Sequence, residues 1–285
     1  MTERKKAVAL ISLVCAICLL ASTLGFFMTH GDITYRLWSR IRPYAEPALE
    51  ITSLSATQST TADELILREN VRASSLLMLV NRSHPLPLGY EALIEEYNGA
   101  KMHPDMIPAY IALRDELVRR TGIRVYVSSD FRTPEEQAEI LAESGGDVAA
   151  EVGCSEHEAG LALDIYAPYF GGESLLQTRV GRLMNEICAD YGFIIRYPLG
   201  KEAITGIDYE PWHLRYVGAP HARIITDAGL TLEEYVGLLT PNVWYRCDGY
   251  LISRQLPTIL TLPAAFSACS LSPDNTGHVI LTVKV

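Results

Sequence analysis

The chain lacks the features that mark several large classes of protein. Its six cysteines among 285 residues are too few for a disulfide scaffold, and no internal repeat is visible. Lys and Arg number 24 against 34 Asp and Glu, so the net charge of -10 argues against a basic face for duplex nucleic acid. The 48% hydrophobic share excludes wholesale disorder and a polytopic membrane protein. The length fits one sizeable domain with an appendage, or two modest domains.

The N-terminus contains a long uncharged run. Arg4, Lys5 and Lys6 precede residues 7–28, which carry no charged side chain. At about 1.5 Å per residue this run would span roughly 33 Å, enough for the hydrocarbon core of a membrane. A cleaved signal peptide is the alternative, but its apolar region usually has only about 7–15 residues. We therefore expect residues 1–28 to form a basic cytoplasmic tip and an uncleaved anchor, with the rest of the chain outside the membrane.

Composition divides the remaining chain into three parts. Residues 29–65 are predicted to be a stalk, because residues 51–62 are rich in Ser and Thr and lack apolar periodicity. Residues 66–240 alternate helix and strand patterns and form the predicted main domain. Residues 241–285 carry short strand patterns separated by turn residues, which predicts a small β appendage. Such a tail is too short to hold a core easily by itself.

Local patterns predict most elements of the main domain and the tail. A helix pattern beginning at residue 64 leads into an extended segment over residues 80–88, where two prolines forbid a helix. Further helices are predicted over residues 106–120, from residue 134, and over 175–191, 220–228 and 231–239. Strands are predicted over residues 123–127, 161–165, 193–196, 212–217, 244–252, 258–262 and 279–285.

Four cysteines lie beyond the predicted anchor, in what would be an oxidising compartment: Cys154, Cys188, Cys247 and Cys269. Four cysteines allow three pairings. Proximity in sequence favours Cys247 with Cys269, a bond that would pin the β appendage. Cys154 and Cys188 would then be a second pair or free thiols. A cysteine-ligated zinc site is not expected, because no CxxC occurs outside the anchor.

Two segments carry side chains of the types that bind catalytic zinc: His157 and Asp164 in the first, Glu210 and His213 in the second. His157 and Asp164 are seven positions apart, so neither a straight strand nor a helix brings both to one ion. A turn must lie between them, and Gly160 can supply it. Glu210 and His213 flank a tight bend, so both side chains can approach one point.

Two imidazoles and one carboxylate would supply three zinc ligands and leave a position for water. The second carboxylate would then act as general base. Asp164 stands in an apolar strand pattern, where a carboxylate without a partner would be costly, so a metal ion or an arginine is expected beside it. The simpler interpretation is that Glu210 and Asp208 are ordinary loop acids and that the remaining histidines are surface or core residues.

These residues belong to an ordered set of motifs that resembles the VanY-type D-alanyl-D-alanine carboxypeptidases. These are zinc peptidases of the lysostaphin, D-Ala-D-Ala-metallopeptidase and hedgehog superfamily. The resemblance covers about residues 70–238 and keeps the motifs in the family's order. The matching segments are residues 79–82, 85–87, 129–133 with Gln137, 155–164, 191–198, 200–202, 210–215 and 232–235.

The resemblance implies an α+β fold in which a small antiparallel sheet is flanked by helices. In this chain the N-terminal transmembrane helix and the small C-terminal β appendage would be added to it. The resemblance also implies Zn²⁺ as the cofactor. His157, Asp164 and His213 match the family's zinc ligands.

The resemblance assigns roles to four further residues. Glu210 matches the general base, which takes a proton from water and returns it to the leaving amine. Arg132 matches the arginine that steadies the substrate carbonyl as it becomes an oxyanion. Ser155 and Gln137 match positions that contact the end of the peptide substrate.

The implied activity is removal of the terminal D-Ala from peptidoglycan stem peptides ending in D-Ala-D-Ala, outside a bacterial cytoplasmic membrane. The membrane would be bound through the N-terminal helix, and no nucleic acid partner is expected. An L,D-carboxypeptidase or endopeptidase with the same zinc site is an alternative, and a catalytically inactive wall-binding or sensor protein is another. A dipeptidase is less expected, because its work is cytoplasmic. The sequence does not indicate an oligomeric state.

Overall fold

The computed structural model describes residues 16–17, 19–23, 25–26, 29–144 and 150–285. Most of the predicted anchor, residues 1–28, therefore lies outside the described residues. Within the described ranges, no helix combines the length and the apolar character needed to cross a membrane.

Helices and strands alternate along the first two thirds of the chain, and strands dominate the last part. The helices are α1 Gly31–Ile41, α2 Ala62–Leu65, α3 Met106–Thr121, α4 Pro134–Ser144, α5 Arg179–Ile187, α6 Glu202–Thr205, α7 His221–Asp227 and α8 Leu232–Leu238. The strands are β1 Glu50–Thr52, β2 Thr57–Thr60, β3 Val71–Ala73, β4 Glu95–Tyr97, β5 Ala100–Met102, β6 Tyr126–Ser129, β7 Ala162–Tyr166, β8 Phe193–Ile195, β9 His213–Tyr216, β10 Trp244–Cys247, β11 Tyr250–Gln255, β12 Leu260–Pro263, β13 Ala268–Pro273 and β14 Val279–Lys284.

The helix α3 confirms the prediction for residues 106–120. It ends at Gly122, whose φ of 74° is in the left-handed region that favours glycine, and Arg119 and Arg120 lie in its last turn, where cations are stabilised. Its buried residues recur every three to four positions, so they form one face of the helix. The buried residues are Met106, Tyr110, Leu113 and Leu117.

Two other predicted helices differ in their extent. The helix predicted over residues 175–191 is broken into a 3-10 turn at Gly172–Gln177, then α5, then a second 3-10 turn at Cys188–Tyr191. The break occurs because Thr178 is extended and its hydroxyl accepts a hydrogen bond from the Gly181 N–H, which starts a new helix. The helix predicted from residue 64 is only the short α2, because the chain then leaves it to pair as β3.

The first sheet is small and antiparallel, with the order β6-β7-β9-β8. One face packs against α3 and α5, and side chains from these three elements form a continuous buried core. This arrangement of a mixed fold around a small antiparallel sheet confirms the α+β prediction for the main domain.

The second sheet has six strands in the order β1-β10-β11-β14-β13-β3, antiparallel except where β3 runs parallel to β13. Its two faces belong to different cores, as the alternation along β14 illustrates. Ile280 packs with α7 and α8, while Leu281 and Val283 pack on the opposite side with α2 and β12. The sheet therefore lies between α7 and α8 on one face and α2 with the β2–β12 pair on the other.

Residues 29–65, predicted to be a stalk, contain two helices and two paired strands. Thr57–Thr60 pairs with Leu260–Pro263, and Glu50–Thr52 pairs with β10 in the second sheet. The C-terminal tail therefore pairs with two strands that precede the main domain, β1 in the six-stranded sheet and β2 in a separate pair with β12. A tail of about 45 residues buries too little apolar surface alone, which accounts for this pairing. The division of the chain into domains stays a prediction.

The predicted Cys247–Cys269 disulfide is wrong. All four cysteines beyond residue 28 are buried free thiols. Cys247 on β10 and Cys269 on β13 are separated by two intervening strands, which at about 4.8 Å per strand places them about 14 Å apart. A disulfide needs Cα atoms within about 7 Å. The two side chains also belong to different cores.

His221 joins α7 to the second sheet and gives the fold a pH dependence. It is buried, with Nδ1 2.6 Å from the Tyr235 hydroxyl and Nε2 2.9 Å from the Thr282 hydroxyl. Burial lowers the pKa of His221 to about 3, against about 6.5 in the unfolded chain. The unfolded chain therefore binds the extra proton first, and stability is lost as the pH falls from about 6.5 towards 3.

We expect His221 alone to lower the free energy of unfolding by about 2 kcal/mol between pH 7 and pH 5. Urea denaturation of the wild type and of His221→Gln at both pH values measures the contribution of His221 to the free energy of unfolding. The variant should lose less stability on acidification than the wild type by about that amount. An unchanged pH dependence in the variant would contradict the assignment.

Candidate active site

The site is assembled on the two central strands of the first sheet. Asp164 on β7 and His213 on β9 are directly opposite each other in the pairing register. His157 lies in the loop before β7. Gly160, with a φ of 70°, makes the turn between His157 and Asp164. A Cβ atom on Gly160 would also collide with the Ile94 side chain. The turn predicted at this glycine is thus confirmed.

The three predicted ligands converge on one point. Their ligand atoms all lie within 4.8 Å of one another. His157 Nε2 is 3.4 Å from Asp164 Oδ2, and His213 Nδ1 is 3.1 Å from Asp164 Oδ1. In a tetrahedral site with zinc bonds of about 2.0–2.1 Å, ligand atoms are about 3.3–3.4 Å apart. The donor set therefore fits zinc in both chemistry and spacing.

The ring of His157 is oriented by the protein backbone. Its Nδ1 donates to the carbonyl oxygen of Asp130 at 2.7 Å, which leaves the lone pair of Nε2 facing the other ligands. This Nε2 is buried and has no hydrogen-bond partner in the described part of the chain. The Asp130 carboxylate instead accepts a hydrogen bond from the Lys101 N–H. A buried nitrogen without a partner is a preformed position for a metal ion.

The electrostatics of the ligand set favour an ionised carboxylate between two imidazoles. Burial would raise the pKa of Asp164, but its contacts with His157 and His213 outweigh this and hold that pKa far below its usual range. Burial lowers the pKa of His157. Burial would also lower the pKa of His213, yet its contacts with Asp164 and Glu156 raise it to about 9.

Glu210 lies beside the ligand set on a firmly held loop. Its N–H donates to the Tyr197 carbonyl at 3.0 Å, and the Asn185 amide donates to the Pro211 carbonyl at 2.8 Å. Glu210 Oε2 is 3.4 Å from His213 Nδ1. Burial raises the pKa of Glu210, which is the opposite of the shift at Asp164.

Arg132 is fixed at the edge of the site by three contacts. Its Nε donates to the Ser129 hydroxyl at 3.0 Å, its Nη1 donates to Gln137 Oε1 at 2.8 Å, and its Nη2 is 3.6 Å from Asp164 Oδ2. The cation is therefore held in one orientation. Burial lowers the pKa of Arg132, but arginine stays protonated at neutral pH.

The structure places Gln137 differently from its predicted contact with the substrate. Its side chain is fully buried, accepts from Arg132 and donates through Nε2 to the Ala150 carbonyl at 2.7 Å. Both ends of the amide are thus used within the protein. Gln137 thus orients Arg132 from the side away from the cavity, which it does not line.

A cavity opens over these side chains. The residues that line it are Arg132, Ile140, Ala150, Ser155, His157, Asp164, Tyr197, Ile207, Glu210 and His213. Ser155 is thus among the residues that line the cavity, and its contact with the substrate stays a prediction. Tyr197, which the sequence analysis did not single out, has its ring 4.9 Å from that of His213. The only sequence feature that could have pointed to Tyr197 was its position in the segment 191–198, which matches the family.

Comparison with known proteins identifies relatives of this chain. Residues 99–219 match the family described as VanY, D-alanyl-D-alanine carboxypeptidase. A bifunctional D-Ala-D-Ala dipeptidase and carboxypeptidase, VanXYC of Enterococcus gallinarum, is 36% identical over 188 residues, which are 59% of this chain and 96% of that protein. A D-alanyl-D-alanine carboxypeptidase of Enterococcus faecium is 32% identical over 205 residues, 65% of each chain.

A solved relative carries the metal. A VanY D,D-pentapeptidase variant from a VanB-type resistance cassette, in complex with Zn(II), is 36% identical, with a TM-score of 0.51 over 56% of this chain and 98% of that one. The fold and the ligand set define a zinc metallopeptidase. The predicted resemblance and the predicted cofactor are thereby confirmed. The chain belongs to the VanY family of D-alanyl-D-alanine carboxypeptidases.

Proposed function

We propose that this protein removes the terminal D-Ala from peptidoglycan stem peptides that end in D-Ala-D-Ala. The observation that carries the proposal is the convergence of His157, Asp164 and His213 beside an acid and a fixed cation. These three residues would hold the zinc ion, which when bound polarises a carbonyl group and lowers the pKa of water. The remaining side chains would bind the peptide end and move protons.

Two carboxylates stand near His213, and their surroundings suggest how the roles divide. Asp164 lies within 3.4 Å of both histidines, and its pKa is lowered. Glu210 lies beside His213, and its pKa is raised. A metal ligand must stay ionised, whereas a general base must also carry a proton during the reaction. We therefore assign Asp164 as the ligand and Glu210 as the base.

Glu210 would take a proton from the attacking water and return it to the amine of the leaving D-Ala. Arg132 would stabilise the negative charge that develops on the carbonyl oxygen, since a fixed cation needs no reorganisation as the charge forms. Ser155 lines the same cavity and is placed to contact the peptide end.

The location is proposed from the N-terminal sequence. Residues 7–28 would anchor the chain in a bacterial cytoplasmic membrane, with residues 66–240 as the catalytic domain on the outer side. The helix α1, which follows directly, is packed on the catalytic domain: Tyr35 is buried with Tyr209, and Arg36 pairs with Glu173. Such packing would keep the active site close to the membrane surface.

One experiment tests both activity and location. Membrane and supernatant fractions of cells expressing the full chain are incubated with a pentapeptide ending in D-Ala-D-Ala, and free D-Ala is measured. We expect release in the membrane fraction, and activity in the supernatant for a chain without residues 1–28. Activity of the full chain confined to the supernatant would refute the anchor.

The same assay separates the alternatives. Release of D-Ala from a tetrapeptide but not from the pentapeptide would support an L,D-carboxypeptidase instead. Cleavage of the free dipeptide D-Ala-D-Ala alone would support a dipeptidase. Zinc binding without cleavage of any of these peptides would support an inactive wall-binding protein and would contradict the proposal.

A further inference from the structure

The second ring nitrogen of His213 faces a buried carboxylate. While Nδ1 of His213 points towards Asp164 and Glu210, its Nε2 lies 3.8 Å from Oε2 of Glu156. Both His213 Nε2 and Glu156 Oε2 are buried, and in the described ranges neither has a hydrogen-bond partner. Two buried polar atoms without partners, a potential donor and an acceptor, thus face each other.

The chemistry of a histidine ligand gives this pair a role. If Nδ1 of His213 binds zinc, the ring proton must be on Nε2, and a buried N–H needs an acceptor. For His157 the corresponding acceptor is the Asp130 carbonyl at 2.7 Å. For His213, Glu156 is the carboxylate in position.

We propose that Glu156 is a positioning residue of the metal centre: its Oε2, 3.8 Å from His213 Nε2, would move closer when zinc is bound, accept the Nε2 proton and so fix the ring with Nδ1 towards the zinc. This inference rests on the zinc site of the proposed function. It adds a carboxylate–histidine–metal arrangement, which raises the basicity of the histidine and holds its orientation.

Two arginines hold the Glu156 carboxylate in place. Its Oε1 lies 2.6 Å from Arg196 Nε and 2.6 Å from Arg215 Nη1. Because both cations gather at Oε1, Oε2 is left facing His213. All three side chains are fully buried, where an unpaired carboxylate would be strongly destabilising. The pairing with two cations explains how an ionised glutamate is kept there.

The arginines are in turn anchored to the surrounding fold. Arg196 also bonds Glu233 on α8 through both terminal nitrogens, at 2.9 and 2.6 Å. Arg215 donates to the carbonyl oxygens of Leu76 and Met78. Glu156 is therefore held by contacts on both sides, as a residue that orients a ligand must be.

The test compares two glutamates of the same network. Glu156→Gln keeps the size of the side chain but weakens the acceptor that faces His213. We expect its zinc affinity to fall about 10- to 100-fold. Glu233→Gln is the matched control, because it also removes a charge beside Arg196 but does not contact His213; its zinc affinity should change less than about twofold.

Zinc affinity is measured by competition with a chromogenic chelator, and the visible spectrum of the Co(II)-substituted proteins reports ligand geometry. Urea unfolding of the metal-free proteins measures the loss of stability in each variant. A merely structural role would weaken zinc binding equally in both variants or in neither, and either result would overturn the proposal. We expect the cobalt spectrum to change in Glu156→Gln alone.

If Glu156→Gln does not fold, Glu156→Asp replaces it. The aspartate keeps the charge between the arginines but retracts the acceptor from His213, so the same loss of zinc affinity is expected. Unchanged affinity would overturn the proposal. Because these measurements need no substrate, they are independent of the proposed activity. A wild type that binds zinc without releasing D-Ala would contradict that activity alone.

Discussion

Replacing Glu210 by Gln should lower the rate of D-Ala release by about 10²–10⁴-fold while the protein keeps its zinc. The amide has nearly the same size and fills the same place beside His213, but it cannot accept a proton. Since Asp164 lies between both histidines and Glu210 lies beside one, the ligand set should survive the change. The rate and the zinc content of the purified variant are measured together.

Asp208→Asn is the control for this variant. Asp208 is an exposed carboxylate on the same loop, two residues before the proposed base. Its removal changes the charge equally, so we expect activity within about twofold of the wild type. If Glu210→Gln keeps most of its activity, the base is assigned wrongly. If it instead loses its zinc, Glu210 belongs to the ligand set.

Replacing Arg132 by Gln should lower kcat by about 10²–10³-fold. The guanidinium is held by Ser129 and Gln137, so it is preorganised for charge that appears only in the transition state. An interaction of that kind lowers kcat and kcat/KM together and leaves KM little changed. Steady-state kinetics on the pentapeptide make this distinction.

Arg124→Gln provides the matched loss of positive charge. Arg124 is exposed just before β6, outside the cavity, and its removal should leave kcat and KM nearly unchanged. A large rise in KM for Arg132→Gln with kcat preserved would contradict a role in the transition state. It would assign Arg132 to binding the peptide in its ground state.

The sequence predicted that His157, Asp164 and His213 converge, because the motifs that carry them depend on local features. Gly160 and the bend before His213 set the turns, and the patterns around Asp164 and His213 predicted two strands. The pairing of these strands is a finding of the structure. Once β7 and β9 lie side by side, ligands 49 positions apart meet. The helix α3 could also be predicted, because the spacing of its apolar residues and the glycine at its end are local features of the sequence.

What the sequence could not predict depends on contacts between distant segments. The Ser/Thr-rich residues 57–60 gain a partner 200 positions away and become a strand. The sheet order that separates Cys247 from Cys269 likewise follows from non-local pairing. Near the site, the segment Ser-Glu-His-Glu does not indicate which of its two buried glutamates faces His213. The role of Glu156 becomes visible only in the structure, where Arg196 and Arg215 both contact its carboxylate.

The most direct test of zinc-dependent carboxypeptidase activity is D-Ala release by the purified protein after metal removal and metal return. The pentapeptide ending in D-Ala-D-Ala is the substrate, and the protein is treated with chelator, freed of it, and then supplied with one equivalent of Zn²⁺. We predict that release stops without zinc and returns with it, while the stem peptide shortens by one residue. Release that continues in metal-free protein would contradict the account, and so would zinc-loaded protein that leaves the pentapeptide intact.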